Sequence, residues 1–249
     1  MIHSFLLIGQ SNMAGRGNLN EAPAINTEHI KVLRNGRWQP MFRPVNPDRA
    51  FSGTNLAESF AEAYASKYGV DVGLIPCADG GTSLEQWKEG GLLFDNAVSQ
   101  AKLASRTSTI AGVLWHQGEM DCEESLAASY QPRFEAIMNA LRKELDLYDV
   151  PFLLGGLGDF LADCPHDPHV HNYKSVNAQL AKTARENLMT GFVSAEGLES
   201  KEDQLHFNAN SLYEFGLRYF VEFEKLRKAD KVFVDKSHLD GVRSAMESL

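Results

Sequence analysis

The chain of 249 residues is 43% apolar and carries 24 basic against 33 acidic residues, for a net charge of −9. A chain of this length and apolar content can bury a large core, and without a visible linker it predicts a single domain over residues 1–249. The acidic balance argues against a nucleic-acid partner or an anionic membrane surface and suits a neutral substrate.

The first predicted element is a strand over residues 5–8, an apolar run that stops at Gly9 and is followed by Gln10, Ser11 and Asn12. A continuous apolar run is typical of a buried parallel strand, and ligands of open α/β sheets bind beyond the carboxyl ends of such strands. Ser11 is therefore a candidate nucleophile. The alternative is that Ser11 and Asn12 form only a turn pair, because such side chains hydrogen-bond their own backbone in many loops.

Helices and strands alternate along the rest of the chain, after a long irregular connection over residues 15–55 with short extended pieces around 30–33. Connections of that length tend to carry function. In chain order the predicted elements are a helix capped by Thr54 and stopped at Gly69, a strand over 70–75, a loop with Gly80 and Gly81, a helix over 94–104, a strand over 110–115, a helix over 125–145, a strand over 152–154, a largely helical segment over 170–188 and a strand over 191–195. This alternation predicts a parallel sheet covered on both faces, which is a three-layer, doubly wound α/β fold.

A second chemical signal lies near the other end of the chain, where Asp203 and His206 are three residues apart. A serine hydroxyl needs a base that accepts its proton, and the imidazole needs an acid that holds its tautomer and stabilises the imidazolium. In a tight turn the Asp203 carboxylate can reach Nδ1 of His206 while Nε2 faces outward. Alternatively, Asp203 caps the following helix and His206 lies on its surface.

The candidate residues follow different predicted strands. Ser11 comes after the first strand, Gly80 and Gly81 after the second, Gln117 after the third and His206 after the fifth. Because the carboxyl ends of parallel strands meet at one edge of a sheet, we expect these residues to converge there.

Four sequence blocks carry most of these candidates. They are Gly9-Gln10-Ser11-Asn12-Met13, Gly80-Gly81-Thr82-Ser83 with Trp87, Trp115-His116-Gln117-Gly118-Glu119, and Asp203-x-x-His206-Phe207. Together the blocks resemble the SGNH (GDSL-like) hydrolase superfamily and, within it, the branch of carbohydrate esterase family six and the sialate O-acetylesterases. The resemblance covers residues 2 to about 223 and implies the flavodoxin-like strand order of the SGNH fold.

The resemblance also implies an oxyanion hole, a set of donors that stabilises the negative charge formed when Ser11 attacks an ester. Its expected donors are the backbone N–H groups of Ser11 and Gly81 and the side-chain amide of Gln117, where the wider superfamily usually has Asn. Gly80 and Gln10 are supporting candidates. The alternative for the two glycines is a plain Gly-Gly turn.

Glu119 leaves the identity of the acid open, because it could orient His206 in place of Asp203 or share that task. Alternatively, Glu119 is a loop carboxylate that accepts backbone N–H bonds and shapes the oxyanion hole.

No metal or cofactor is expected. The loop over residues 164–171 contains one Cys and three His, but its spacing matches no zinc pattern, so we interpret it as an exposed loop that borders the substrate pocket. Trp38 and Trp87 could stack on a sugar, although large aromatic side chains more often belong to a core.

The C-terminal part predicts a helix capped by Asn208 or Asn210, followed over about 225–249 by a charged helical or extended tail with an apolar patch at 232–234. The odd count of cysteines, Cys77, Cys122 and Cys164, favours free thiols. The N-terminal apolar run is too short for a leader, so a cytoplasmic location is expected, and secretion with a removed leader is the alternative.

These observations predict a metal-independent serine esterase that removes O-acetyl groups from carbohydrate through an acyl-enzyme on Ser11. The resemblance to this branch implies acetylated xylan or another acetylated oligosaccharide as the substrate. A sialate O-acetylesterase is the alternative enzyme, and a non-catalytic carbohydrate-binding module on the same fold is the alternative from another class. The pattern determines neither the sugar nor the oligomeric state.

Overall fold

A computed structural model describes residues 1–165 and 167–247, of which residues 229–247 are described by their backbone alone. Seven strands form one sheet. They are β1 (Ile2–Gly9), β2 (Ile30–Arg34), β3 (Arg37–Pro40), β4 (Asp71–Pro76), β5 (Ser108–His116), β6 (Phe152–Gly155) and β7 (Thr190–Val193). Their order across the sheet is β3-β2-β4-β1-β5-β6-β7, and all neighbours are parallel except β2 and β3, which form an antiparallel hairpin at one edge.

Eight α-helices accompany the sheet over the described residues. They are α1 (Ser11–Ala14), α2 (Ala57–Tyr68), α3 (Leu84–Trp87), α4 (Leu92–Ala104), α5 (Glu124–Ala128), α6 (Tyr130–Leu145), α7 (Tyr173–Glu186) and α8 (Ala209–Glu247). Short 3-10 helices cover Glu119–Asp121, Asp159–Asp163 and Pro168–Asn172.

Both faces of the sheet are apolar, and this is why β1 appears in the sequence as an unbroken apolar run. Leu6 and Ile8 pack into one core cluster with α4, α6 and α7. Phe5 and Leu7 point to the other face and pack into a second cluster with α2 and α8. The predicted three-layer α/β fold is confirmed.

The strand order is also as expected. Without the edge hairpin, the order β4-β1-β5-β6-β7 is the flavodoxin-like 2-1-3-4-5 arrangement. The extended pieces expected around residues 30–33 become β2, which pairs in parallel with β4 and extends the sheet by a hairpin.

The helix ends differ in detail from the prediction. Asn55, rather than Thr54, caps α2, because its Oδ1 accepts the N–H of Ala57 at 3.1 Å while its own N–H donates to Glu58 at 3.1 Å. The helix ends as predicted at Gly69, whose φ is 62°. Asn208 caps α8, since its Oδ1 accepts the N–H of Ser211 at 2.8 Å.

Two further predictions concern the three cysteines and the apolar patch at 232–234. The thiols of Cys77, Cys122 and Cys164 are buried and unpaired, and burial raises the pKa of Cys77 to about 12. The side chains of the apolar patch at 232–234 lie outside the described part of the chain, where only the helical backbone of α8 is given. None of the helices in the described residues is long and apolar enough to cross a membrane.

Candidate active site

The site lies at the carboxyl edge of the sheet, where β1 is flanked by β4 on one side and β5 on the other. The strand order reverses at this point, and ligands of doubly wound sheets bind there. Ser11 begins α1 directly after β1, Gly80 and Gly81 follow β4, Glu119 follows β5, and His206 follows β7. The predicted convergence of these residues is therefore present, with one exception described below.

Ser11, His206 and Asp203 form a hydrogen-bonded chain. Nε2 of His206 lies 3.1 Å from Oγ of Ser11, and Nδ1 lies 2.8 Å from Oδ2 of Asp203. Oδ1 of Asp203 accepts the backbone N–H groups of Leu205 and His206, at 3.0 and 2.9 Å. Burial pushes the pKa of Asp203 up, but the hydrogen bonds from His206 and these N–H groups outweigh it and hold the pKa well below its ordinary value. Asp203 is therefore ionised at neutral pH and favours a protonated Nδ1 on His206.

Asn12 connects the His206 loop to the strand end that carries Ser11. Its Nδ2 donates to the carbonyl of Leu205 at 3.2 Å, and its Oδ1 accepts the N–H of Phe207 at 3.1 Å. These two residues are the immediate neighbours of His206. The same Nδ2 also donates to Oε1 of Glu119 at 2.6 Å. Glu119 thus orients Asn12, and in the described part of the chain the carboxylate hydrogen-bonded to His206 is that of Asp203.

The glycine loop approaches Ser11 closely. A Cβ on Gly80 would lie 2.4 Å from Nη2 of Arg16 and 3.4 Å from Cβ of Ser11, so there is no room for a side chain. The N–H of Gly80 donates to Oδ2 of Asp48 at 2.9 Å. The N–H of Gly80 is thus already used, and Gly81 follows at a φ of +75°, a conformation that favours glycine.

Asp48 holds the glycine loop from a segment that the sequence predicts only as an irregular connection. Its buried carboxylate accepts two hydrogen bonds from Arg16, at 2.9 and 2.7 Å, and one from Oγ of Ser52 at 2.8 Å, besides that of Gly80. Burial raises the pKa of Asp48, but these hydrogen bonds lower it by a larger amount, so the net shift is downward. Two residues earlier in the chain, the side chain of Asn46 pairs with both backbone groups of Ala78 at 3.0 Å. The length of the connection was the one sequence signal for this role.

Gln117 is the predicted site residue that the structure does not bring to the site. Its side chain is fully buried, and Nε2 donates to the carbonyl of Thr82 at 3.0 Å and to Oδ2 of Asp121 at 2.7 Å. Its Oε1 accepts the hydroxyl of Tyr130 at 2.9 Å. Both amide hydrogens are used inside the core, so the prediction that Gln117 donates to the oxyanion does not fit this structure.

Gln10, the supporting candidate next to Ser11, does lie at the site. Its Oε1 accepts the N–H groups of Gly118 and Met120, at 3.5 and 3.4 Å, and the residue lines the pocket that contains Ser11. With the amide oxygen directed at these two groups, the amide nitrogen remains to donate.

The pocket around Ser11 has a volume of about 280 Å³. Its wall combines Gln10, Ser11, Gly80, Gly81 and His206 with apolar side chains of Phe51, Met120, Val170 and Leu205 and with charged side chains of Arg16, Arg49, Glu119 and Asp167. Asp167 and Val170 belong to the loop over 164–171, so that loop borders the pocket as predicted; His166 lies outside the described residues. Where side chains are described, no group of three or more His, Cys, Asp or Glu residues is arranged to hold a metal ion.

The two tryptophans proposed for sugar stacking lie elsewhere. Trp87 is fully buried, donates to Oγ1 of Thr82 at 3.0 Å and packs edge-on against Trp115. Trp38 is on the edge strand β3, where its Nε1 donates to Oγ1 of Thr107 at 3.1 Å. Neither residue lines the pocket, so the alternative of packing residues is the correct one.

Comparison with known proteins agrees with the fold. A family model described as "Carbohydrate esterase, sialic acid-specific acetylesterase" matches residues 1–225. A protein from Arabidopsis thaliana named "Probable carbohydrate esterase" is 27% identical in an alignment of 236 residues, which covers 86% of this chain and 86% of that protein. An X-ray structure of that protein has a TM-score of 0.79 at 26% identity and covers 90% of this chain and 98% of its own. The crystal structure of NanS has a TM-score of 0.74 at 16% identity over 92% of this chain and 98% of NanS, which shows a shared fold.

The fold and these likenesses define a carboxylic ester hydrolase of the SGNH type. Within that class, the chain belongs to the family of carbohydrate esterases described as sialic acid-specific acetylesterases, because the family model spans most of its length. The family therefore supports an enzyme and not the alternative of a non-catalytic binding module.

Proposed function

We propose that the chain is a serine esterase that removes O-acetyl groups from carbohydrate through an acyl-enzyme on Ser11. One observation carries the proposal. The hydroxyl of Ser11, the imidazole of His206 and the carboxylate of Asp203 form one hydrogen-bonded chain, with distances of 3.1 and 2.8 Å, on the wall of a pocket. Nucleophile, base and orienting acid in such contact are what acyl transfer by serine requires.

The reaction has two halves. Oγ of Ser11 attacks the acetyl carbonyl while its proton passes to Nε2 of His206, and the imidazolium then protonates the leaving sugar oxygen. Water next attacks the acetyl-serine, giving one proton to His206. Oγ then recovers that proton, and the product leaves as acetic acid, which ionises to acetate in water. The ionised carboxylate of Asp203 stabilises the imidazolium in both halves.

Three donors stabilise the oxyanion in this proposal. The N–H of Ser11 is available because the first residues of a helix have no intrahelical acceptor. The N–H of Gly81 is the second donor, since Asp48 accepts the N–H of Gly80. We assign the third to the amide nitrogen of Gln10 in place of Gln117, because Gln10 lines the pocket and both amide hydrogens of Gln117 are used in the core.

Acetylated neutral oligosaccharides, such as acetylated xylan fragments, are the substrates that we propose. The cations at the pocket are paired: Arg16 with Asp48 at 2.7 Å and Arg49 with Asp79 at 2.8 Å. The carboxylates of Glu119 and Asp167 line the same pocket, so its charge favours a neutral ligand over an anion.

Sialate O-acetyl esters are the second candidate substrate. The description of the family supports them, and the side chain of Arg49 is 42% exposed at the pocket. The sialate carboxylate would have to compete with Asp79 for this guanidinium.

Measurements of acetate release test both the serine mechanism and the choice of substrate. We would measure it for wild type and Ser11→Ala on 4-nitrophenyl acetate, acetylated xylo-oligosaccharides and O-acetylated sialic acid, with and without EDTA. We expect kcat to fall by a factor of about 10⁴ or more in Ser11→Ala on every substrate, no effect of EDTA, and a higher kcat/KM on the neutral sugar. Wild-type turnover by Ser11→Ala would refute the serine mechanism, and faster cleavage of the sialate ester would select the second candidate.

A further inference from the structure

We propose that Phe51 is an aromatic platform on which the sugar ring of an acetylated substrate stacks beside Ser11. This inference rests on the proposed function, because it names the part of the pocket that binds the sugar. It also replaces the tryptophans, which lie outside the pocket, with an aromatic residue that the sequence does not single out.

Phe51 is unusual in its exposure. Its side chain is 71% exposed, whereas the fully buried aromatic side chains of this protein, such as Phe5, Phe60 and Phe134, make up much of the core. The exposed ring lines the same pocket as Ser11 and His206. An exposed aromatic ring beside a polar catalytic centre offers an apolar face to the C–H groups of a sugar, while the polar groups nearby serve its hydroxyls.

The Phe51 ring packs on one face against a guanidinium. The guanidinium carbon of Arg16 lies 5.3 Å from the centroid of the Phe51 ring, and Arg16 is itself only 4% exposed. Its two hydrogen bonds to Asp48 hold the guanidinium against the underside of the ring. One face of Phe51 is thus occupied by a buried, paired cation, and the exposed part of the ring remains for a ligand.

The backbone around Phe51 is also anchored. Oγ of Ser52 donates to Asp48 at 2.8 Å and accepts the N–H of Arg49 at 3.0 Å, and the N–H of Ser52 donates to the carbonyl of Arg49 at 3.1 Å. Phe51 therefore lies within a closed turn. A backbone anchored in this way loses little conformational freedom when a sugar binds.

The chain offers a matched control in Phe42. This ring is 47% exposed and lies against a guanidinium, that of Arg34, at 4.1 Å from the centroid. It shares the exposure and the cation of Phe51, but it does not belong to the wall of the Ser11 pocket. A general effect of removing an exposed Phe stacked on Arg would therefore appear in both variants.

The test compares a sugar ester with a small ester. In Phe51→Ala we expect kcat/KM on acetylated xylo-oligosaccharides to fall about tenfold, mainly through KM, because aromatic stacking has that order of effect. On ethyl acetate, whose leaving group carries no ring that could stack, kcat/KM should fall clearly less than on the sugar ester. Phe51→Trp should retain the activity on the sugar ester, and Phe42→Ala should leave kcat/KM unchanged on both substrates.

Binding is measured separately from hydrolysis. Calorimetry with acetylated xylo-oligosaccharides should give a Kd about tenfold weaker for Ser11→Ala/Phe51→Ala than for Ser11→Ala. Equal Kd values, or an equal loss of kcat/KM on the sugar and on the small ester, would overturn the platform. The proposed function fails on a different result, turnover by Ser11→Ala or no acetate release by wild type, and the binding comparison still decides the role of Phe51 in that case.

Discussion

Two loops meet at Ser11, and they are held in place in different ways. The histidine side, residues 203–207, is held by its own turn and by Asn12, which directly follows Ser11 in the chain. The glycine side, residues 78–81, is held by Asn46, Asp48 and Arg49 from the long connection between β1 and α2. Both loops follow parallel strands at the same edge of the sheet.

A sequence motif contains the residues that hold one of these loops but not those that hold the other. On the histidine side, Asp203 and Asn12 both belong to the motifs, Asp203 three residues before His206 and Asn12 directly after Ser11. On the glycine side, Asn46 and Asp48 belong to no motif and lie in the long connection. Buried N–H and C=O groups must be paired, and any nearby polar side chain can do this, so no fixed spacing marks it.

The largest expected effect concerns the acid on the histidine side. In Asp203→Ala we expect kcat to fall by about 10⁴, because His206 loses the carboxylate that holds its tautomer. Glu119→Ala should cost much less, about tenfold, since Glu119 acts on Asn12, which keeps its bonds to Leu205 and Phe207. Steady-state kinetics on 4-nitrophenyl acetate measure both. A larger loss in Glu119→Ala than in Asp203→Ala would show that the acid has been misassigned.

A smaller loss of kcat is expected when a residue that holds the glycine side is replaced. In Asp48→Asn we expect kcat to fall about 10²-fold with KM changed less than about threefold, because the N–H of Gly81 shifts when Gly80 loses its charged acceptor. Ser52→Ala removes the 2.8 Å bond to Asp48 and the 3.0 Å bond from the N–H of Arg49, and it should lower kcat in the same direction, by less.

The control for Asp48 is Asp71→Asn, at the other end of β4, where the carboxylate is 36% exposed and pairs with His29 and Lys31. We expect no change in kcat there. Circular dichroism would establish that each variant is folded. A folded Asp48→Asn with wild-type kcat would break the comparison, because the glycine side would then not depend on the segment from the long connection.

The smallest expected effect is on the pH dependence of the thermal stability. The folded-state pKa of Asp48 is depressed, since its hydrogen bonds outweigh burial. Its contribution to the free energy of unfolding is therefore present above the unfolded pKa of about 4 and is lost as pH falls through the folded pKa. We expect the Tm difference between wild type and Asp48→Asn to shrink by about 3 °C between pH 6 and pH 3, the size of about 1 kcal/mol in a domain of this length. A difference that grows in acid would contradict the sign of the shift.

Much of the architecture could be predicted from local patterns. The apolar runs mark β1, β4, β5, β6 and β7 because strands buried on both faces need no polar alternation. Gly69 ends α2 because its left-handed backbone suits glycine. The strand order came from the resemblance, since periodicity does not reveal which strands pair.

The errors share one physical cause. Gln117 lies in a motif, yet its amide is satisfied by Thr82 and Asp121 inside the core, and neither partner is visible from the spacing. Trp87 is an aromatic residue near the glycine loop, and burial takes it into the core. Whether a polar or aromatic side chain faces a pocket depends on packing against distant elements, which a motif does not encode.

The class of fold and the candidates Ser11, Asp203 and His206 could be predicted from the amino-acid sequence, because apolar periodicity and short turns depend on neighbours along the chain. The folded arrangement was needed to see that Asp203 and not Glu119 is hydrogen-bonded to His206, that Gln10 and not Gln117 lines the pocket, that Asp48 holds the glycine loop and that Phe51 lines the pocket. These outcomes depend on which buried donors find which acceptors across the folded chain, and that pairing exists only once the sheet has brought distant loops to one edge.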